Sequence, residues 1–294
     1  MDQDHEPTQY MKDREPTTLA GAATKAGHFG PYRFVRRLED TRFAERWMAV
    51  HERDLTSHIV YRYGLKDVDG SRRRFLQVAQ ELAELDHPHI QSISQSALDS
   101  EGRGCIVTAH PGHAEGLLTI SSLLTLKGGR MMAVEAHRAM SQLLDASAYG
   151  HFRGQAHGPI SMEQVLVDRH GRTIIELYGL DRRLGADDTK HQELARIETH
   201  SILEIGYRLL TGFRPDATVV PPTQVVKKLV GKDVLKELDL GWDGFFAVGL
   251  KPYGGFATAE AAMANLPPAI PRRERSGVVS MVRGLFRPKS NRRG

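Results

Sequence analysis

Few side chains in this sequence are placed to do chemistry, and several of them gather around one stretch, Gln155 to Leu180, QAHGPISMEQVLVDRHGRTIIELYGL. Gln164 carries an amide oxygen that can ligate a cation, and Glu176 and Asp181 carry carboxylates. Upstream, Arg62 and Glu81 are a cation and an anion that could pair, and they would be the groups to touch a nucleotide if one binds. Between these groups stand Pro159 and Leu177, which offer no ligating atom. Cys105 is the single cysteine and lies in the apolar run GCIVTA, which suits a small buried filler. His110 and His113 have no carboxylate or thiolate at useful metal spacing. No metal site and no cofactor are expected.

The elements that must position these residues can be read from periodicity. Gln155 to Leu180 reads as a loop, a short apolar strand at Val165 to Val167, a turn at Arg169 to Gly171 and a second strand from Thr173 to Leu177, hence a hairpin. Upstream, YRFVRRLE, ERWMAVHE and SHIVYRYGL alternate as three strands, and Gln91 to Ala109 adds two more around DSEGRG, predicting a five-stranded antiparallel sheet. Between them Phe75, Leu76, Ala79, Leu82, Ala83 and Leu85 recur at helical spacing until Pro88. Helices are predicted over Thr119 to Leu126 and Ala133 to His151, the second closed by Gly154. ETHSILEIGYRLLTGFRP is apolar on more than one face, as a buried helix should be, and one or two surface helices follow over Thr223 to Leu240.

In this order the landmarks resemble the protein kinase family, as a degenerate member of the bacterial Ser/Thr type. The hairpin is similar to the family's H-R-D-L-x-x-x-N and D-F-G hairpin, with His157 at its His and Leu177, Tyr178 and Gly179 at D-F-G. LDHPHI looks like the end of the helix called αC, and ETHSILEIGYRLLTGFRP is similar to D-x-Y-S-L-G-x-x-L-Y-E-L-L-T-G-x-x-P, with Glu198 at its Asp. The resemblance implies an α+β bilobal fold, a small antiparallel sheet lobe with one helix and a larger, mainly helical lobe. It also implies which chemistry is gone. Pro159 stands at the catalytic Asp, Gln164 at the metal-binding Asn, Leu177 at the metal-binding Asp, Arg62 at the phosphate-positioning lysine and Val78 at that lysine's glutamate. EDTRFA replaces the glycine-rich loop and sets Glu39 and Asp40 where phosphate oxygens would lie. No A-P-E closes the short segment after Gly179, and Gly255 stands where that motif's arginine partner would be, before Phe256. An Arg62 to Glu81 pair is the expected substitute for the lost lysine pair.

The expected organisation is a leader at 1–27, a sheet lobe at 28–109, a helical lobe at 110–267 and a tail at 268–294. Residues 271–294 hold seven Arg and one Lys against one Glu, a net of +7, so the +4 of the whole chain leaves 1–270 at −3. A body of that sign gives no support for nucleic-acid binding. The N-terminus lacks a secretory pattern and no long apolar run exists, so a cytoplasmic protein is expected. Phosphoryl transfer needs metal ions held by oxygens and a carboxylate on the attacking hydroxyl, and their joint loss implies a pseudokinase acting as a protein-binding scaffold or regulator of signalling. Its expected partner is a protein, either an active kinase or a phosphothreonine reader docking on Thr17 or Thr18. The alternatives are a nucleotide-binding switch or atypical phosphotransferase using Arg62, Glu81, Glu176 or Asp181, and an adaptor whose basic residues 272–294 lie on an anionic membrane.

Overall fold

The structure is a computed structural model that describes residues 27–65, 70–112, 116–185, 189–216, 219–230, 238, 240–251 and 254–268. Thr17, Thr18, His113 and the basic stretch 272–294 lie outside the described residues. The strands are β1 His28–Phe29, β2 Tyr32–Arg37, β3 Ala44–His51, β4 Ser57–Tyr63, β5 Ile93–Leu98 and β6 Gly104–Ala109. They form one antiparallel sheet in the order β1-β2-β3-β4-β6-β5, one strand more than the sequence pattern predicts. The addition is the two-residue β1, too short to show an alternation of its own. Helix α1, Ser71–Ala83, lies on one face of the sheet through Phe75, Val78, Ala79 and Leu82.

Strand β4 shows how the sheet sorts its residues. Side chains alternate along a strand, so Ile59, Tyr61 and Tyr63 join the core beneath α1, whereas Val60 joins Phe34, Cys105 and Val107 in a separate cluster on the opposite face. Arg62 goes with Val60, its guanidinium carbon 4.9 Å from the centre of the Phe34 ring. Cys105 is buried in that same outer cluster, and burial pushes its thiol up to about 11, as expected of a packing residue.

The helical lobe is built on α3, Ala133–Phe152, and α5, His191–Thr211, with α2 at Ile120–Leu126 and α8 at Ala259–Ala264. The surface helices predicted over Thr223 to Leu240 resolve into α6 at Pro222–Val230, with α7 beginning at Leu240 and running to Gly249. Central α5 buries Ile202, Leu203, Ile205, Leu209 and Leu210 together with Glu198 and Ser201, which is why its apolar residues are not confined to one stripe. The predicted hairpin is β7, Val165–Val167, and β8, Thr173–Ile175, the second strand ending two residues before Leu177. It is tied to both lobes: Ile175 bridges to Ile90, and Leu166 to Thr119. A short helix that the sequence did not announce, α4 at Leu180–Leu184, follows Gly179. Among the described residues no helix is long and apolar enough to cross a membrane.

Gly150 of α3 is required by a close approach. A Cβ there would stand 2.6 Å from Cζ of the buried Tyr178 ring, which is rigid and cannot fold away. Gly150→Ala gains helix propensity but overpacks this contact, so the thermal midpoint is expected to fall by about 2–8 °C. Differential scanning calorimetry checks this, and an unchanged or raised midpoint contradicts the packing.

Candidate functional site in the interlobe cleft

Glu198 fixes the floor of the cleft from α5. Its carboxylate is fully buried and accepts from Ser147 Oγ at 2.5 Å, Tyr178 Oη at 2.6 Å, His151 Nε2 at 3.1 Å and the backbone N–H of His157 at 2.6 Å and Gly158 at 3.3 Å. Burial pushes this carboxyl up, but His151 and the hydrogen bonds outweigh it and hold the group below its ordinary value. One anion thus ties together α3, the loop at His157 and the Leu177-Tyr178-Gly179 turn. His157 packs its ring edge-on to Tyr178, and burial holds its pKa below the usual range. Gly179 adopts φ +69°, and a Cβ there would meet the Ala156 carbonyl oxygen at 3.0 Å, so only glycine lets the two loops touch.

On this floor Pro159, Gln164 and Leu177 lie in the cleft wall. Pro159 is exposed and Leu177 is buried at φ +42°, a left-handed conformation that costs a branched residue about 1–2 kcal/mol. Leu177 is held there by its N–H, which donates to Gln91 Oε1 at 3.3 Å. The side-chain oxygen of Gln164 accepts from the backbone N–H of Ser161 at 3.0 Å, a local capping bond that uses the amide oxygen within its own turn. Val78 is a buried core residue of α1.

Two expectations are corrected. Arg62 and Glu81 do not pair: Arg62 lies 3.7 Å from Glu45 and 3.5 Å from Asp99 on the outer face, while Glu81 binds Arg183 of α4. The reason is strand register. The sequence comparison placed Arg62 at the cleft, but a one-residue difference in a strand exchanges faces, and it is Tyr61 and Tyr63 that look into the cleft. A nucleotide between the lobes would therefore not meet Arg62.

What occupies the inner cleft is a polar network that sequence reasoning missed. Arg46 of β3 places Nη1 2.9 Å from Glu176 Oε1 and 3.3 Å from Oε2, with the two side chains 7% and 5% exposed. The Arg46 Nε–H donates to the Glu39 carbonyl. Tyr61 donates to Glu176 at 2.6 Å, and its oxygen accepts from Gln91 Nε2 at 3.0 Å, whose second N–H reaches Thr108 at 2.9 Å. The one legible signal was the alternation of Ile59, Tyr61 and Tyr63 against Val60 and Arg62. Nothing local marked Arg46, because its partner is 130 residues away.

Beside this network the cleft keeps a cavity of about 930 Å³, lined by Arg46 and Glu176 of the network together with Phe43, Tyr63, His157, Leu177 and Asp181, among others. Glu39 and Asp40 also line it, as their place in the β2–β3 loop predicted. Asp181 Oδ1 accepts from the Tyr63 hydroxyl at 3.2 Å, and burial pushes its carboxyl up to about 6. No group of three or more His, Cys, Asp or Glu able to hold a metal ion occurs among the described residues.

No protein-family model matches the sequence. Two crystal structures of the kinase domain of PknI from Mycobacterium tuberculosis match the chain with TM-scores of 0.62 and 0.61 at 16% and 17% identity, each covering 83% of this chain and 98% of the other. The chain therefore has the bilobal protein-kinase-like fold that its ordered landmarks implied.

The buried pair yields a double-mutant test. Arg46→Met alone strands the Glu176 charge and is expected to cost about 3–5 kcal/mol, whereas Arg46→Met with Glu176→Met removes both charges and restores most of that loss. Urea unfolding of the three proteins gives the coupling, and equal losses in the single and double variants would show that the pair is not coupled.

Proposed function

We propose that this protein-kinase-like chain does not transfer phosphoryl groups and works as a protein-binding regulator, a pseudokinase. The observation that carries the reading is the Arg46–Glu176 pair, a buried ion pair where the inner cleft of a working phosphotransferase would be open to its nucleotide. Breaking it to admit a triphosphate would leave Glu176 facing like charge in a site of low polarity. The residues at the metal-holding positions support the same reading, since Leu177 has no ligating atom and the Gln164 oxygen serves Ser161. Phosphoryl transfer depends on charge neutralisation by held metal ions, and neither side chain supplies it here.

The partner expected under this reading is a protein, either an active kinase or a reader of phosphorylated Thr17 or Thr18, bound through the helical lobe or the cleft rim. One alternative is a nucleotide-responsive switch, for which Asp181, facing the remaining cavity, is the available carboxylate. Wild-type protein titrated to millimolar ATP with Mg²⁺ or Mn²⁺ is expected to show no thermal shift and no transfer from radiolabelled ATP, while a tagged copy recovers a specific protein under gentle extraction. A saturable shift of several degrees moves the reading to the switch.

A further proposal concerns the basic residues 272–294, whose net charge would draw the protein to anionic lipid. Sedimentation with phosphatidylserine vesicles is expected to fall several-fold on deleting these residues, and equal pelleting of both proteins removes the proposal.

A further inference from the structure

A second cavity, of about 580 Å³ and open to solvent, lies where α1, the Gly154 to Ala156 loop, α4 and the start of α5 meet. Among the described residues of its wall, Arg74, Arg182, Arg183 and His191 stand against one carboxylate, Glu81. That sign runs against the body of the chain, since residues 1–270 sum to −3. Of the residues lining it, only Arg182 also lines the interlobe cavity.

The arginines are held in two different ways. Arg183 is matched: it binds Glu81, and its Nη1 donates to Gln155 Oε1 at 3.1 Å. The Arg183 contact lowers the Glu81 carboxyl, so this pair stays ionised and cancels itself. Arg74 is oriented without being matched. Its Nη2 donates to the backbone carbonyl of Arg183 at 2.7 Å, and among the described residues it forms no ion pair with a carboxylate. Arg182 is fixed in a similar way, donating to the Ala156 carbonyl at 2.9 Å. A carbonyl aims a guanidinium but leaves its positive charge in place. The first turn of α5 adds to the same potential, because this 21-residue helix points the positive end of its dipole here and its N-cap, Lys190, supplies no capping side chain.

The result is a set of aimed N–H donors with surplus positive charge around a space much larger than one ion. A peptide can fill such a space, setting an anionic side chain on the arginines and its aliphatic atoms on Ala156 and Leu194, which also line the wall. We propose that this cavity is a docking site for a partner polypeptide that presents an anionic side chain, a carboxylate or a phosphate monoester, to Arg74 and its neighbours. Both oxyanions match the planar fork of arginine. That the occupant is a polypeptide rests on the regulatory reading above; the demand for an anion rests on the cavity alone.

The test is calorimetric titration of the full chain with the peptide Gly-Ala-X-Leu-Gly, where X is Gln, Glu or phosphothreonine, and with acetate and inorganic phosphate alone. The Glu or the phosphothreonine peptide is expected to bind at least about tenfold more tightly than the Gln peptide and than either free ion, and whichever does so identifies the source of the charge. Arg74→Gln should weaken that binding about tenfold, whereas Arg73→Gln should leave it unchanged. Both residues are exposed on α1 and both changes remove one positive charge, but only Arg74 lines the cavity. Equal affinity for the three peptides, or no binding of any, overturns the proposal. So does a free ion that binds as tightly as the peptides, an Arg74→Gln variant with wild-type affinity, or an equal loss in Arg73→Gln. If the peptides fail while a tagged copy still recovers a protein, the docking site falls and the regulatory reading stands. Transfer from radiolabelled ATP by a chain that binds the anionic peptide does the reverse.

Discussion

A charge taken out of water must find its opposite within a few ångströms, and the Arg46–Glu176 pair is how this molecule meets that requirement between its lobes. The pair joins the strand after the β2–β3 loop to the end of the β8 segment, so it sets how the sheet lobe sits on the helical lobe. Tyr61 and Gln91 complete the hydrogen bonding around it, which matters because a half-satisfied buried network destabilises more than an apolar core. Arg46 and Glu176 also form part of the wall of the interlobe cavity.

A second buried anion plays the corresponding part inside the helical lobe. Glu198 gathers five donors from α3, the His157 loop and Tyr178, and without it those backbone N–H groups would be buried and unpaired. The loop that would bear catalytic groups is thus held firmly in a chain whose positions there read proline and leucine. Gly255 is packed just as closely. A Cβ there would meet the Gly249 carbonyl oxygen at 2.5 Å, so the backbone has closed over the place where the resemblance put an arginine, while Phe256 still packs 5.3 Å from Phe245.

Much of the fold was legible because it is written in local patterns. The hairpin at Val165 to Ile175, the long helices α3 and α5 and the glycine closure at Gly154 all arise from residues close in sequence. The buried carboxylate at Glu198 was marked by the motif around it. The short pieces were not legible. Strand β1 has two residues and α4 has five, lengths at which no period can show and where pairing with distant partners supplies the stability.

The sequence by itself determined the order of elements, the two-lobed architecture and the absence of ligating atoms at Pro159 and Leu177, since these depend on residue type and near-neighbour spacing. Only the tertiary structure decided which face of β4 meets the cleft. Neighbouring residues of a strand face opposite sides, so a motif match places residues in β4 without fixing the face each takes, and folding set Tyr61 and Tyr63 inside and Arg62 outside. The partners of Arg46, Glu81 and Asp181 were likewise settled by folding, because a charge finds its opposite through space and the separations of 130, 102 and 118 residues leave no trace along the chain.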